Sequence, residues 1–251
     1  MKYSIVIPTY NHCDKFLKPC LESIFKHSSI GDIELIISAN GCTDNTLGYL
    51  GSLKEKFNSI GLNDNLKIYW TTVPLGYARA TNVGLAGATS DKIVLLNNDT
   101  VLLDQPKDDW LTIMNSAFDH TACGISAPLL KFSEVTNRNF GIFFCVMIAR
   151  KVFDTIGYLS EDYGTGGHED TDFCMTAELA GFHLMQPTIY TWSEIDQIHV
   201  GSYPIYHRGE GTVHDPELVQ NWTQTFYKNE LTLARKFNPE WYEKHKNDVI
   251  I

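Results

Sequence analysis

The sequence has no concentrated positive charge. Its 251 residues carry 30 acidic and 20 basic side chains, a formal net charge of −10, and no block of Lys or Arg. A duplex-binding protein would carry a basic stripe, so the charge argues against nucleic acid as the main partner. No apolar stretch reaches the length of a membrane span, and the first residues, MKYSIVIPTY, turn polar too soon for a signal peptide. The six cysteines, at 13, 20, 42, 123, 145 and 174, form no Cys-x-x-Cys and match no zinc spacing. Cys145 lies in the apolar run IFFCVMIA and reads as a buried thiol, so a reducing compartment is expected. Gly-x-Gly-x-x-Gly is missing after the first apolar run and Gly-x-x-x-x-Gly-Lys is missing throughout, which removes the main support for dinucleotide and P-loop readings. Internal repeats and low-complexity segments are absent too. What remains is an ordinary globular composition, 43% hydrophobic and 20% charged, enough for one large domain. A soluble, cytoplasmic protein is expected.

What is present has the punctuation of an α/β chain. Short apolar runs at Ser4–Pro8, Glu34–Ser38, Leu66–Thr71 and Lys92–Leu96 read as strands. Between them, Lys15–Lys26, Thr46–Phe57 and Tyr77–Gly87 read as helices. This alternation predicts a parallel sheet. The small residues Ala78, Ala80, Gly84 and Ala86 let the third helix approach that sheet closely. The later chain is less regular. A helix is expected over Asp109–Asp119, and a strand over Gly124–Phe132 that is edge or bulged because of Pro128. A buried strand is expected over Asn139–Ala149 and a helical turn over Lys151–Ile156. Asp162–His168, DYGTGGH, reads as a flexible loop, and Glu169 opens a helix running through Ala180. Pro187–Tyr206 holds two β-like pieces. Pro216–Phe237 reads as an amphipathic helix whose default role is to pack back on the domain, with a lid or a dimer contact as the alternatives.

The stretch DKIVLLNNDTVLL, Asp91–Leu103, organises the rest. Its apolar run stops at Asn97-Asn98-Asp99, the end of a buried strand. In open α/β sheets ligands bind beyond the carboxyl ends of the strands. A carboxylate there can hold a divalent ion by hard oxygen ligation, and the ion can hold a diphosphate. A plain polar turn uses the same residue types. Glu169 and Asp170 form a second acidic pair, and acidic residues in a first helical turn also complement the helix dipole.

Taken in order, SIVIPTYNH, ELIISANGCTDNT, PLGYARATNVGLAGATSDKIVLLNNDTVL and GTGGHEDTDFCMTAELAGF resemble a family 2 glycosyltransferase of the GT-A fold, over Ser4 to about Thr212. The resemblance implies a Rossmann-like, mostly parallel central sheet flanked by helices, with a C-terminal amphipathic helix. It implies a donor-binding half over residues 1–103, an acceptor-binding and catalytic half over 104–214 and a helical extension over 215–251, in one continuous domain. Thr9, Tyr10, Asn11, Ala39 and Asn40 would hold the nucleoside, with Gly76, Arg79 and Asn98 near the rest of the donor. Asp99 takes the place of the last Asp of the family's Asp-x-Asp motif, the one that reaches the metal. His207, in YHRGEGT, is favoured over His199 as the second metal ligand. Asp170 would be the general base, with Glu169 beside it.

The activity so implied is an inverting transfer of a hexosyl or deoxyhexosyl group from a UDP- or dTDP-sugar, with Mn2+ or Mg2+, to a hydroxyl of a glycan or lipid-linked glycan. A membrane's inner face is a natural place for such an acceptor. The chemistry is coherent on its own terms. A divalent cation neutralises the leaving diphosphate, a base takes the acceptor's proton, and adjacent carboxylates raise one another's pKa. Three positions depart from the family pattern. Asn97 replaces the first Asp, Ala39 stands where an Asp often reads the base, and Thr81 stands where an Arg often precedes Asn82. Arg79 can reach a phosphate or lie on the helix surface. The Asn-Asn-Asp-Thr sequence resembles rhamnosyltransferase-like members. The alternative is a GT-A module that binds nucleotide or glycan without turnover.

Overall fold

The computed structural model describes residues 1–192, 199–209 and 222–248. Its centre is β1 (Tyr3–Thr9), whose apolar side chains serve both faces: Ile5 and Ile7 enter one core, Val6 the other. A strand buried on both faces needs cover on both. α1 (Lys18–His27), β2 (Ile33–Asn40), α2 (Thr46–Ser59), β3 (Leu66–Thr71), α3 (Tyr77–Gly87) and β4 (Lys92–Leu96) supply it in alternation. Leu21 and Ile24 of α1, with Leu50, Leu53 and Phe57 of α2, pack on Ile5, Ile7, Leu35 and Ile37. Each such fully buried side chain is worth about 1.5–3 kcal/mol. α3 covers the opposite face, and Gly84 permits its approach: a Cβ there would stand 2.5 Å from Val6 Cγ1.

The chain continues through β5 (Thr100–Leu102), α4 (Asp109–Ser116), β6 (Cys123–Ser126), β7 (Leu130–Ser133), β8 (Arg138–Gly141), β9 (Cys145–Ala149), α5 (Arg150–Ile156), α6 (Glu169–Leu179) and β10 (His183–Met185). It then passes through β11 (Tyr190–Trp192), β12 (His199–Gly201), β13 (Ile205–His207), α7 (Trp222–Phe237) and α8 (Pro239–His245). The main sheet has seven strands in the order β10-β6-β9-β4-β1-β2-β3. β9 runs antiparallel to both neighbours, and every other pairing is parallel. The result is the expected α/β architecture, a mostly parallel sheet with helices on both sides.

Several expected elements change shape. The run Asn139–Ala149 is two strands, because Ile142, Phe143 and Phe144 leave the ladder between β8 and β9. An unbroken apolar run carries no polar mark of that exit. The expected strand over Gly124–Phe132 is also divided, with Pro128 between β6 and β7, since proline cannot donate to a ladder. β6 is no edge strand either; it lies between β10 and β9. The first helix opens with a π-helical turn, Cys13–Leu17, and α1 proper starts at Lys18 with Pro19 in its first turn, where a missing N–H costs nothing. Within the helix expected to start at Pro216, residues 216–221 lie outside the described residues. α7 packs back on the domain, with Leu233 and Ala234 fully buried in a cluster with Val135 and Tyr163. All six cysteines are buried and unpaired. Among the described residues no helix is long and apolar enough to cross a membrane.

Candidate active site

A cavity of about 520 Å³ opens at the carboxyl ends of β1, β2 and β4. The strand ends are tied together at its floor. Thr9 ends β1, and its Oγ1 accepts a hydrogen bond from Asn98 Nδ2 at 2.8 Å. Asn40 ends β2, and its Oδ1 accepts from the backbone N–H of Leu75 at 2.6 Å. Asn40 thereby holds the loop that leads into α3. Asn11, at φ 48°, accepts with Oδ1 from the N–H of Thr43 at 2.7 Å, locking the loops after β1 and β2 to each other.

Asp99 lies just past β4 and is 3% exposed. β5 follows it at once and pairs antiparallel with β13, placing His207 opposite Thr100. His207 Nε2 stands 3.3 Å from Asp99 Oδ1. The imidazole is stacked on the Phe144 ring, with centroids 4.6 Å apart and planes 10° apart. That stacking fixes which way the ring faces.

The far wall carries the second acidic pair. Glu169 is the first residue of α6, and both Glu169 and Asp170 line the cavity. Burial, reinforced for Glu169 by the neighbouring Asp170 carboxylate, pushes the pair above the usual carboxylate range, Glu169 furthest. Asp170 Oδ1 accepts from the Thr171 N–H at 2.7 Å, which favours its ionised form. The arrangement therefore holds a carboxylic acid and a carboxylate side by side near neutral pH.

Three residues lining this cavity carry a buried oxygen that accepts no hydrogen bond, Asn97 Oδ1, Asp99 Oδ1 and Glu169 Oε2, although Asp99 Oδ1 has the His207 imidazole beside it. Buried polar atoms are normally satisfied, and the exceptions need a reason. The Asn97 and Asp99 oxygens are acceptors that suit a cation or a ligand's hydroxyl groups, and the Glu169 carboxyl suits a ligand's polar groups. A divalent cation fits the Asp99 carboxylate and His207 imidazole in donor type. Among the described residues no group of three or more His, Cys, Asp or Glu gathers to hold one. A cation here would draw its remaining ligands from a bound molecule or water.

Of the residues expected at the site, Thr9, Tyr10, Asn40, Gly76, Asn98, Asp99, Glu169, Asp170 and His207 line one cavity. Three do not. Ala39 is fully buried within β2. Asn11 spends its side chain on the neighbouring loop. Arg79 is on the helix surface, with Nε 2.9 Å from Glu161 Oε2. His199 falls in β12, and its side chain lies outside what the structure describes. Phe143 and Phe144 also line the cavity, hidden from sequence reasoning inside an apolar run.

Comparison with known proteins gives the family and the fold. Residues 4–141 match the family model described as Glycosyl transferase family 2. A solved mannosyltransferase, PcManGT of Pyrobaculum calidifontis in complex with GDP-Man and Mn2+, superposes at TM-score 0.60 with 13% identity, covering 99% of this chain and 76% of that one. S. aureus TarS in complex with UDP superposes at 0.57 with 15% identity, covering 99% and 74%. At such identities the likeness is one of fold, and the fold is GT-A. A Sinorhizobium fredii protein, the uncharacterized y4gI, is 22% identical over 230 residues, 76% of this chain. An uncharacterized Haemophilus influenzae glycosyltransferase is 26% identical over 114 residues, 44% of this chain. The chain spans 24% and 41% of these two curated relatives. With its matched residues making up more than half of its length, the chain belongs to glycosyl transferase family 2.

Proposed function

We propose that the chain is an inverting, divalent-metal-dependent glycosyltransferase that moves a sugar from a nucleotide-diphosphate donor to a hydroxyl of a glycan acceptor. The observation that carries this reading is the convergence of three buried oxygens on one cavity at the strand ends: Asn97 Oδ1 and Glu169 Oε2, which have no hydrogen-bond partner, and Asp99 Oδ1, which has the His207 imidazole beside it. Asp99 and His207 would hold the cation, which when bound supplies the positive charge that the leaving diphosphate needs. No Lys or Arg is among the described residues lining the cavity, so the protein itself offers little to offset a diphosphate. Asp170, ionised beside a protonated Glu169, takes the proton of the attacking hydroxyl. One displacement by that hydroxyl inverts the anomeric carbon. Phe143, Phe144 and the start of α3 wall the cavity and exclude water from the reacting centre.

A UDP- or dTDP-linked deoxysugar, carried to a lipid-linked glycan, is the finer form of this reading. The relatives supply only analogies, GDP-Man for one and UDP for another. A module that binds without turnover is the competing reading, favoured by the two-residue metal set. Thermal unfolding with each common nucleotide sugar, with and without Mn2+, tests both. A donor at a hundred times its Kd stabilises by about 2.7 kcal/mol. A manganese-dependent rise with one donor, lost in Asp99→Ala, supports a donor site, and release of the nucleotide separates turnover from binding. No rise with any nucleotide overturns the proposal.

A further inference from the structure

We propose that Asn229 of α7 is a positioning residue for Glu169 and Asp170, acting through the glycine-rich loop at 163–167. The proposal rests on the glycosyl-transfer reading above and adds a residue to it.

The loop before α6 has an unusual backbone. Gly164, Gly166, Gly167 and His168 all have positive φ, at 59°, 140°, 95° and 76°. Such a segment makes no ladder or helix of its own; within it the Gly166 N–H reaches the Tyr163 carbonyl at 3.1 Å, and the Gly166 and Gly167 carbonyls need donors from elsewhere. Asn229 supplies them. It is 3% exposed, and its Nδ2 donates to the carbonyls of Tyr163, Gly166 and Gly167 at 2.8, 2.9 and 3.2 Å. One amide thus gathers three carbonyls of one turn. The loop expected to be flexible is held from behind by these bonds.

It is pinned in front as well. Gly76, at φ 87°, passes so close that a Cβ would stand 2.2 Å from the Gly164 carbonyl oxygen. The Tyr77 N–H reaches the Thr165 carbonyl at 3.4 Å. Below the loop, Tyr163 donates its hydroxyl to Asp172 Oδ2 at 2.7 Å, and Phe226 of α7 lies 4.3 Å from the His168 ring between centroids. The loop is therefore clasped between the start of α3 and the side of α7. Gly164–Gly167 line the cavity, and Glu169 begins two residues later. Moving the loop moves the carboxyl pair. The ionisable groups that feel the pair's charge are Tyr77 of α3, Tyr163 of the loop and Cys174 of α6, and Asp99 and His207 line the same cavity. Asn229 touches none of the reacting atoms; it sets where the pair stands among these groups.

The test compares Asn229→Leu, which keeps the branched shape and removes the donors, with Asn238→Ala, which removes the α8 cap and a hydrogen bond to the Val135 carbonyl but no hydrogen bond to residues 163–167. Wild type and variants are assayed for donor turnover against pH, with carbon-detected NMR titration of the Glu169 and Asp170 carboxyls. For Asn229→Leu, kcat falls by about tenfold or more per folded molecule, within the range that general-base placement controls. The acidic limb of its kcat profile shifts by about half a unit or more, as the pair's surroundings change. Affinity for metal and nucleotide stays within about twofold of wild type, because Asp99 and His207 are untouched. Asn238→Ala lowers the unfolding temperature and leaves the limb in place. If Asn229→Leu loses stability but retains wild-type kcat and limb, the residue is structural and the proposal is overturned. If the wild type turns over no donor, glycosyl transfer fails, and the carboxyl titration judges positioning alone. An unmoved titration then overturns the proposal and a moved one supports it. Should Asn229→Leu not fold, Asn229→Ser is read by the same criteria.

Discussion

The two sides of β4 are built differently. On one side, β1, β2 and β3 arrive as βα units, each strand followed by the helix that covers it. On the other, β9 runs antiparallel, β6 precedes it in the chain and lies beyond it, β10 follows it and pairs with β6, and the β7–β8 hairpin interrupts the order. Each side also buries a carboxylate, and their environments are opposite. Glu34 of β2 is fully buried. Burial alone would raise its pKa, but hydrogen bonds from Lys67, Ser4 and the Thr89 N–H outweigh that and hold it below its ordinary value. Glu169 has Oε2 without a partner and is pushed up. A satisfied buried charge on the first side is scaffold; an unsatisfied one on the second is chemistry held in readiness.

Substitutions can break this contrast, beginning with the largest effect. Asp99→Ala is expected to reduce donor turnover by roughly a thousandfold, the scale of losing one electrostatic stabiliser, and to remove the metal-dependent rise in unfolding temperature. Asp170→Asn should lower kcat by about a hundredfold or more, as loss of a general base does, while nucleotide affinity measured by calorimetry survives. A variant in which affinity fell with kcat would merge the two sides into one function. Gly76→Ala drives a Cβ into the Gly164 carbonyl and strains a positive φ, so a loss of about 1–3 kcal/mol in denaturant unfolding is expected, together with impaired turnover.

The smallest effects have opposite signs. Glu34 has a depressed folded pKa, so its stabilisation is present above the unfolded value and is lost as pH falls through the folded one. Glu34→Gln should lower the unfolding temperature at pH 7, with the difference closing in acid. Glu169 is raised to about 8, so the fold loses stability as pH rises from the unfolded value, near 4.5, through the folded one. Glu169→Gln should leave the unfolding temperature unchanged at pH 4.5 and raise it by roughly 2–4 °C per kcal/mol relieved at pH 8. A shift of the same sign in both variants would mean that the two carboxylates are not in contrasting environments.

The sequence was most legible on the βα side, and the reason is local. A strand there is a short apolar run ended by polar residues, and its helix shows its face within the next turn or two. The ends at Thr9, Asn40 and Asp99 could therefore be marked in advance. Across β4, legibility failed where apolar burial continued through a change of direction. Ile142–Phe144 look like strand in composition but line the cavity instead. Pro128 was read as a flaw within a strand, when it separates two. Arg79 could not be assigned because a helix-surface arginine and a phosphate ligand have the same local sequence; only Glu161, remote in the chain, decides between them. Asn229 showed in sequence as one polar residue on an apolar face, with no sign of which carbonyls would meet it.

The pairing of β5 with β13 has a consequence for how the molecule is made. Asp99 and His207 are separated by roughly a hundred residues, and they meet only when those two short strands join. At ribosomal rates of about 5–20 residues per second, the interval between the two is on the order of 5–20 seconds. During that time β1 to β4 can already assemble on their helices, because each unit carries its own cover. Through that interval Asp99 is on the chain without His207, and the contact between them waits for β13. On this reading the proposed site is completed late, by the strand that pairs with β5.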